Sequence, residues 1–208
     1  RTGHLDRALE YYGKTLKIDH AHIRARLNRC SIYMAIDEGR KALDDAEILL
    51  DLAPNFTLAR FRKAEAGMML GDWARAREDL DVVLERAPHH HQAMTQLAAC
   101  FIALGRPERA EAPLNDALRI APNHAPAWHQ RGLLYLEWGR DDNALSDFEA
   151  AVKSEAGHLD AHLHIAAMHH EAERFDQAGA AWRAVLNLDP DHVVAKTRLG
   201  ECEVKLMA

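Results

Sequence analysis

The chain has 208 residues, of which 48% are hydrophobic and 28% are charged, a balance that argues against intrinsic disorder. Its formal net charge of −6 argues against nucleic acid as a partner, because phosphate binding needs a concentrated basic face. No apolar run approaches the ~18 residues of a membrane-spanning helix, so we expect no membrane insertion.

The cysteines and the amino-acid bias indicate the cellular setting. Cys30, Cys100 and Cys202 are odd in number, far apart and without zinc-like spacing, which favours a reducing compartment. Arginine outnumbers lysine and alanine is abundant, a bias common in bacterial genomes rich in GC. We therefore expect a bacterial protein of the cytoplasm. The periplasm is the alternative if a signal peptide lies upstream of Arg1.

The sequence repeats with a period of 34 residues. An unbroken series of alanines follows this period: Ala8, Ala42, Ala76, Ala110, Ala144 and Ala178. Small residues recur at a second position: Cys30, Ala64, Ala98, Gly132, Ala166 and Gly200. Large residues recur at a third: Tyr12, Leu80, Leu114, Phe148 and Trp182. Because small residues are needed where helix backbones approach closely, we predict two short packed helices per period.

The copy at residues 125–158 carries Trp128, Gly132, Tyr135, Ala144 and Phe148 at fixed offsets. With these residues the sequence resembles the tetratricopeptide-repeat family, whose unit reads W-x2-L-G-x2-Y, then A-x3-F, then P. The position usually held by leucine is an arginine. The resemblance implies an all-α fold, a right-handed superhelical solenoid of antiparallel helix pairs.

The predicted elements form a single repeat array over residues 1–208. Residues 1–22 supply the second helix of a partial repeat, and residues 193–208 form a terminal helix. Five full repeats lie between them: 23–56, 57–90, 91–124, 125–158 and 159–192. Pro113 falls about six residues into a predicted second helix, where the loss of a backbone donor predicts a kink.

Basic residues replace the usual packing residues in the first two full repeats, as Arg26, Arg29, Arg60 and Lys63. Their long stems can cover apolar surface while the charge stays in water. Together with nearby arginines they can also form a functional basic patch. The sequence leaves both interpretations open.

The resemblance implies that the first helix of each repeat lines a concave groove. The sixth position of every repeat on that face can donate hydrogen bonds: Asn28, Arg62, Gln96, Gln130, His164 and Arg198. One donor per repeat resembles the ladders that hold the backbone of an extended peptide. The alternative is that inward positions are polar because water reaches them. We expect Arg24 and His129 to join this site and Arg24 to favour a ligand with an acidic stretch.

The histidines suggest caps and a possible metal site. Five of them precede a predicted first helix, where a polar side chain can cap it: His22, His90, His124, His158 and His192. His129, His164 and His170 are predicted to face the groove with Glu171, and could bind zinc or nickel if they converge. Because His170-Glu171-Ala172-Glu173-Arg174 lacks the second histidine of a zinc-protease motif, we predict neither a catalytic residue nor a cofactor.

We therefore expect a non-enzymatic scaffold or adaptor, similar to a co-chaperone, that binds a peptide or protein in the groove. Two alternatives stay open: the substrate-recognition arm of a larger enzyme or assembly factor, and metal-dependent binding through histidines. The terminal helices leave apolar surface uncovered, so homo-oligomers are also expected.

Overall fold

The computed structural model describes the backbone of residues 2–207 and the side chains of residues 4–207. All regular structure in this part of the chain is helical, which confirms the all-α class. The helices are α1 (Thr2–Ile18), α2 (Ile23–Ala35), α3 (Gly39–Leu52), α4 (Thr57–Met69), α5 (Trp73–Arg86), α6 (His91–Ala103), α7 (Glu111–Ile120), α8 (Ala125–Glu137), α9 (Asp141–Ser154), α10 (Leu159–Glu171), α11 (Phe175–Leu188) and α12 (Val193–Met207), with a 3-10 helix at Pro107–Arg109.

The chain divides into two compact units, Arg1–Ala110 and Glu111–Ala208. In the first unit α2 packs against α3 and α4 against α5, and α3 packs on α4 to stack the two pairs. In the second unit α8 pairs with α9 and α10 with α11 in the same way. Each unit is therefore a stack of helix hairpins. The single array with its repeat boundaries stays a prediction.

Histidine caps open several of the first helices. His22 Nδ1 accepts a hydrogen bond from the Ala25 N–H at 3.2 Å, which satisfies one of the free donors at the start of α2. His90, His158 and His192 cap α6, α10 and α12 in the same way. The capping prediction is confirmed at these four positions. The His124 side chain makes no such cap at α8.

The turn inside each hairpin depends on one residue with left-handed backbone. Three repeats place a glycine there: Gly71, Gly105 and Gly139, with φ of 76°, 69° and 66°. The other two use Asp37 and Glu173 in the same conformation, with φ of 61° and 56°. Side chains other than glycine are strained in this region, so these two turns carry a conformational cost.

Small residues let the paired helices approach closely. A Cβ atom at Gly132 of α8 would lie 2.7 Å from the Phe148 ring of α9, which is closer than any carbon contact allows. Phe148 is fully buried, as are Ala144 and Ala151 on the same face of α9. The packing of α8 on α9 therefore requires glycine at this position.

The kink predicted at Pro113 is absent. The second helix of that repeat begins at Glu111, after the 3-10 helix, so Pro113 lies in the first turn of α7. Backbone N–H groups in a first turn have no partner within the helix, and proline is tolerated there. Within residues 2–207, no helix combines the length and the apolarity that crossing a membrane requires.

Candidate functional site

The first helices of the hairpins in the first unit carry four of the predicted site residues. Arg24 on α2 is exposed and has no hydrogen-bond or ion-pair partner among the described residues. Asn28, one turn further along α2, donates through Nδ2 to the Tyr12 hydroxyl at 3.2 Å. Arg24 is thus free to meet an acidic group, whereas Asn28 is partly engaged by α1.

Glu65 contacts the side chains of the other two predicted donors of this unit, Arg62 and Gln96. Arg62 Nη1 lies 2.6 Å from Glu65 Oε2, and Gln96 Nε2 donates to Glu65 Oε1 at 2.8 Å, which links α4 to α6. Arg62 Nε and Gln96 Oε1 are buried and have no hydrogen-bond partner within the described protein. Leu58 and Met69, at the two ends of α4, are each 38% exposed. Polar groups with unmet hydrogen-bonding capacity therefore lie beside accessible apolar side chains.

The second unit repeats this combination on α8. Gln130 Oε1 is buried without a hydrogen-bond partner among residues 4–207, and Leu133 is 38% exposed. On α12, Arg198 Nη1 lies 2.8 Å from Glu201 Oε2, an exposed pair within one helix. The same Glu201 oxygen lies 3.3 Å from His170 Nε2 of α10, so Arg198 and His170 share one carboxylate.

A cluster of aromatic rings joins α8, α9 and α10. The His129 ring centroid lies 4.7 Å from that of His158 and 5.4 Å from that of His164. His164 stacks on Phe148 with the centroids 4.7 Å apart. Burial, assisted by the two neighbouring histidines, lowers the pKa of His129 to about 4. Burial also lowers the pKa of His164. The His129 ring is therefore neutral at neutral pH.

These histidines are held by contacts within the protein. Nδ1 of His158 is occupied by the Ala161 N–H, and the His164 ring stacks on Phe148. His129 Nε2 is buried without a hydrogen-bond partner among residues 4–207. No group of three or more potential metal ligands comes together in the described part of the chain.

Cys202, His170 and Glu201 are arranged like a nucleophile with its base. Cys202 Sγ lies 3.4 Å from His170 Nδ1, and His170 Nε2 lies 3.3 Å from Glu201 Oε2. Cys202 is fully buried, however, and burial raises the pKa of its thiol. A protonated, inaccessible thiol is a weak nucleophile, so this contact packs α10 against α12.

Two carboxylates offset half of the positive charge in the basic patch expected from the sequence. Asp45 on α3 accepts from Arg26 Nη1 at 3.0 Å and from Arg29 Nε at 2.8 Å. Asp79 on α5 does the same for the next repeat, 2.8 Å from Arg60 Nη1 and 3.0 Å from Lys63 Nζ. Both aspartates follow the 34-residue period, and that spacing was the available signal.

Three models described as tetratricopeptide repeat match residues 31–89, 67–131 and 125–158. Together they extend from residue 31 to residue 158, which is more than half of the chain. No curated protein matches the chain significantly.

Several solved structures share the fold. TTC0263, a thermophilic TPR protein of Thermus thermophilus, superposes with a TM-score of 0.72 at 24% identity, covering 88% of this chain and 99% of its own. YrrB, described as a TPR protein with an unusual peptide-binding site, gives 0.60 at 20% identity over 91% and 97%. The hetero-tetramer Cut9–Hcn1 of the APC/C gives 0.83 at 16% identity, covering 97% of this chain and 40% of that one. At these identities the similarity concerns the fold.

Proposed function

The chain belongs to the tetratricopeptide-repeat family, and from this membership we propose that it is a non-catalytic scaffold. Each unit binds an extended segment of another polypeptide through the first helices of its repeats, α2, α4 and α6 in the first unit and α8 and α10 in the second. The fold is one that serves protein–protein interaction. YrrB is described as having a peptide-binding site, which supports a peptide as the ligand.

One observation carries the proposal: among the described residues, seven of the eight buried side-chain N and O atoms without a hydrogen-bond partner lie on first helices. Four of the seven belong to predicted site residues: Arg62 Nε, Gln96 Oε1, His129 Nε2 and Gln130 Oε1. The other three are Arg26 Nε, Arg60 Nε and His169 Nδ1, and the eighth atom is Trp182 Nε1 on α11. A buried polar atom without a hydrogen bond costs about 1–3 kcal/mol, so a ligand that satisfies it gains binding free energy. A peptide backbone offers one donor and one acceptor per residue. Rotation of the glutamine amides and the arginine side chain turns these groups towards the ligand.

The exposed apolar side chains on the same helices supply the second component of such a site. Leu58 and Met69 flank Arg62, and Leu133 lies close to Gln130 along α8. Ligand side chains that cover them add apolar burial at roughly 25 cal/mol per Å². We therefore propose a ligand whose backbone contacts the polar atoms named above and whose apolar side chains contact Leu58 and Met69 in the first unit or Leu133 in the second.

The charge distribution modifies the expected ligand. Arg24 has no partner within residues 4–207 and attracts an acidic residue, whereas Glu65 neutralises Arg62 and already accepts a hydrogen bond from Gln96. A ligand with a single acidic group placed against α2 therefore fits better than a uniformly acidic one.

A displayed peptide library selected against the purified chain tests the proposal. The dissociation constant of the best peptide is then measured by fluorescence anisotropy for the wild type and for the double variant Gln96→Ala/Gln130→Ala. Because the variant loses one polar contact in each unit, we expect affinity to fall about tenfold or more.

The matched control is Asn143→Ala/Gln177→Ala, which removes two exposed amides from the second helices α9 and α11. It should bind the peptide as the wild type does. Equal affinity for all three proteins, with the circular dichroism spectrum unchanged, contradicts a ligand held by the first helices.

A further inference from the structure

One position on the first helices carries an aromatic ring in four of the five full repeats and a glycine in the other. The series reads Tyr33, Gly67, Phe101, Tyr135 and His169. A Cβ atom at Gly67 would lie 3.7 Å from the Ala76 Cβ of α5 and 3.8 Å from the Asp72 carbonyl oxygen, which is ordinary van der Waals contact. The second full repeat therefore lacks a ring for which its backbone leaves room.

The first full repeat shows how such a ring is held. Two cations lie against Tyr33, with the Arg29 guanidinium carbon and Lys41 Nζ each 5.7 Å from the ring centroid. Each cation is itself fixed by a carboxylate, Arg29 by Asp45 at 2.6 Å and Lys41 by Glu38 at 2.9 Å. The ring is therefore held by two ion pairs, one between α2 and α3 and one at the start of α3.

The second full repeat keeps both ion pairs without the ring. One period along the chain, Lys63 Nζ lies 3.0 Å from Asp79 Oδ2, and Arg75 Nη1 lies 3.3 Å from Asp72 Oδ2. These four residues line a cavity of about 170 Å³, the Gly67 cavity. The Arg75 side chain is 81% exposed, so the cavity is open to solvent on that side. Its apolar wall consists of Leu43, Gly67 and Ala76.

The size and the charge of the Gly67 cavity suit an aromatic ring. A protein cavity of about 150 Å³ is large enough to bind benzene. A cation is attracted to the electron-rich face of an aromatic ring, which an aliphatic side chain lacks. Arg109, which holds the same position in its repeat as Arg75, lies 4.6 Å from the centroid of the Phe101 ring. The cavity is therefore complementary to one aromatic ring both in shape and electrostatically.

A larger cavity adjoins the Gly67 cavity and leaves space for a ligand chain to continue along α3. Its volume is about 620 Å³, and it shares Glu47 and Lys63 with the smaller one. Both signs of charge line it, with Glu47 and Asp51 on α3 and Arg60 and Lys63 on α4. A peptide backbone offers a donor and an acceptor at nearly every residue, so it suits this mixed lining.

We propose that the Gly67 cavity binds a phenylalanine or tyrosine side chain of a partner polypeptide. The ring lies against Gly67 and Ala76 and between the cations of Lys63 and Arg75, so the partner supplies the ring that this repeat lacks. Both cations stay paired with their aspartates, as the two cations beside Tyr33 stay paired with their carboxylates. The contact uses none of the polar atoms assigned above to the peptide site, so either proposal can fail without the other.

Nitrogen-15 NMR titration of the 208-residue chain with N-acetylphenylalanine amide measures this binding. We expect saturable shifts of the Gly67 and Ala76 backbone signals, with a dissociation constant in the millimolar range. N-acetylleucine amide has no ring and forms no cation–π contact, so it should bind about threefold more weakly or less tightly still. A phenylalanine probe that gives no saturable shift at these two residues overturns the proposal, and so does equal affinity for the two probes.

Three variants locate the bound probe. Gly67→Tyr fills the cavity from within, so it should raise Tm by about 5 °C and weaken binding of the phenylalanine probe about tenfold or more. Gly13→Tyr adds the same ring to α1, where a Cβ would meet no neighbour, and should bind the probe as the wild type does.

Arg75→Met keeps the apolar stem and removes the charge, so it should weaken binding of the phenylalanine probe about threefold. Because Arg75 is exposed, this variant is expected to fold as the wild type does even if Gly67→Tyr does not. Circular dichroism establishes which variants are folded. Unchanged affinity for the phenylalanine probe in folded Gly67→Tyr or in Arg75→Met overturns the proposal.

Discussion

Arg131 of α8 and Asp147 of α9 form a bidentate ion pair, with Nε 2.7 Å from Oδ2 and Nη2 2.8 Å from Oδ1. Their side chains are 17% and 5% exposed, so the pair is largely withdrawn from water. The first two full repeats form the same contact. In the fifth full repeat both positions are apolar, with Ile165 on α10 and Ala181 on α11. The hairpins thus carry either a charge pair or two apolar residues at this point.

This alternation predicts how single and double variants behave. Asp147→Ala leaves the Arg131 guanidinium largely buried without its carboxylate, and should lower the free energy of unfolding by about 2–4 kcal/mol. Arg131→Ile/Asp147→Ala reproduces the apolar combination of Ile165 and Ala181 and should recover most of that loss. Urea unfolding followed by circular dichroism measures both. Asp116→Ala, which breaks an exposed pair with Arg119, should cost at most about 1 kcal/mol. A double variant no more stable than Asp147→Ala contradicts the prediction.

Gly132 and Gly200 hold equivalent positions in their repeats, but we predict that alanine has opposite effects on stability at the two sites. Gly132→Ala forces a Cβ against the buried Phe148 ring, and should destabilise by about 1–3 kcal/mol. Gly200→Ala meets no neighbour and improves helix propensity, so it should stabilise by up to about 1 kcal/mol. Thermal unfolding of the two variants gives the sign directly. Equal changes in the melting temperature of the two variants, in the same direction, would show that the face of α12 at Gly200 is packed in solution as the face of α8 at Gly132 is.

Because the turn at Glu173 has a left-handed backbone, we predict that a glycine at this position stabilises the protein. Glu173 has φ of 56°, so Glu173→Gly should raise the free energy of unfolding by about 0.5–1 kcal/mol. The reverse change, Gly105→Ala, should lower it by a similar amount because alanine is strained at a φ of 69°. Chemical denaturation measures both. Loss of stability in Glu173→Gly would mean that the glutamate side chain makes a compensating contribution.

Partial burial of His129 predicts a loss of stability in mild acid. The ring is charged below about pH 6.5 in the unfolded chain but stays neutral in the folded protein down to about pH 4. The unfolded state therefore binds more protons in this window, and the free energy of unfolding decreases as the pH is lowered, by on the order of 1–2 kcal/mol from this group once solvent screening of the half-buried ring is allowed for.

Chemical denaturation at several pH values tests that slope. His129→Gln should flatten it in part, since burial also lowers the pKa of His90, His164 and His169. His89→Gln, at an exposed position, is the control. A wild-type stability that does not change between about pH 6.5 and pH 4 contradicts the prediction.

The helix hairpins were predictable because packing fixes residue size at regular positions. The small residues on the first helices and the alanines on the second recur every 34 residues, and helices begin at Ile23, Thr57, His91, Ala125, Leu159 and Val193. The late start of α7 was not predicted, because a proline is read as a helix breaker until the helix boundary is known.

The candidate site was less predictable, since side-chain partners depend on contacts between helices. Glu65 contacts both Arg62 and Gln96, although 31 residues separate it from the glutamine. The meeting of His129, His158 and His164 depends on how α10 stacks beside α8 and α9. Inward positions of a repeat are free to vary, so the period contains no information about these pairings.

Nitrogen-15 NMR titration of the chain with the selected peptide tests the binding account most directly, because it reports on each side-chain amide separately. The account predicts that the Gln96 and Gln130 amide signals shift on binding, together with backbone signals of α4, α6 and α8, while the Asn143 and Gln177 amides stay in place. Shifts confined to the second helices, with Gln96 and Gln130 unmoved, would contradict it.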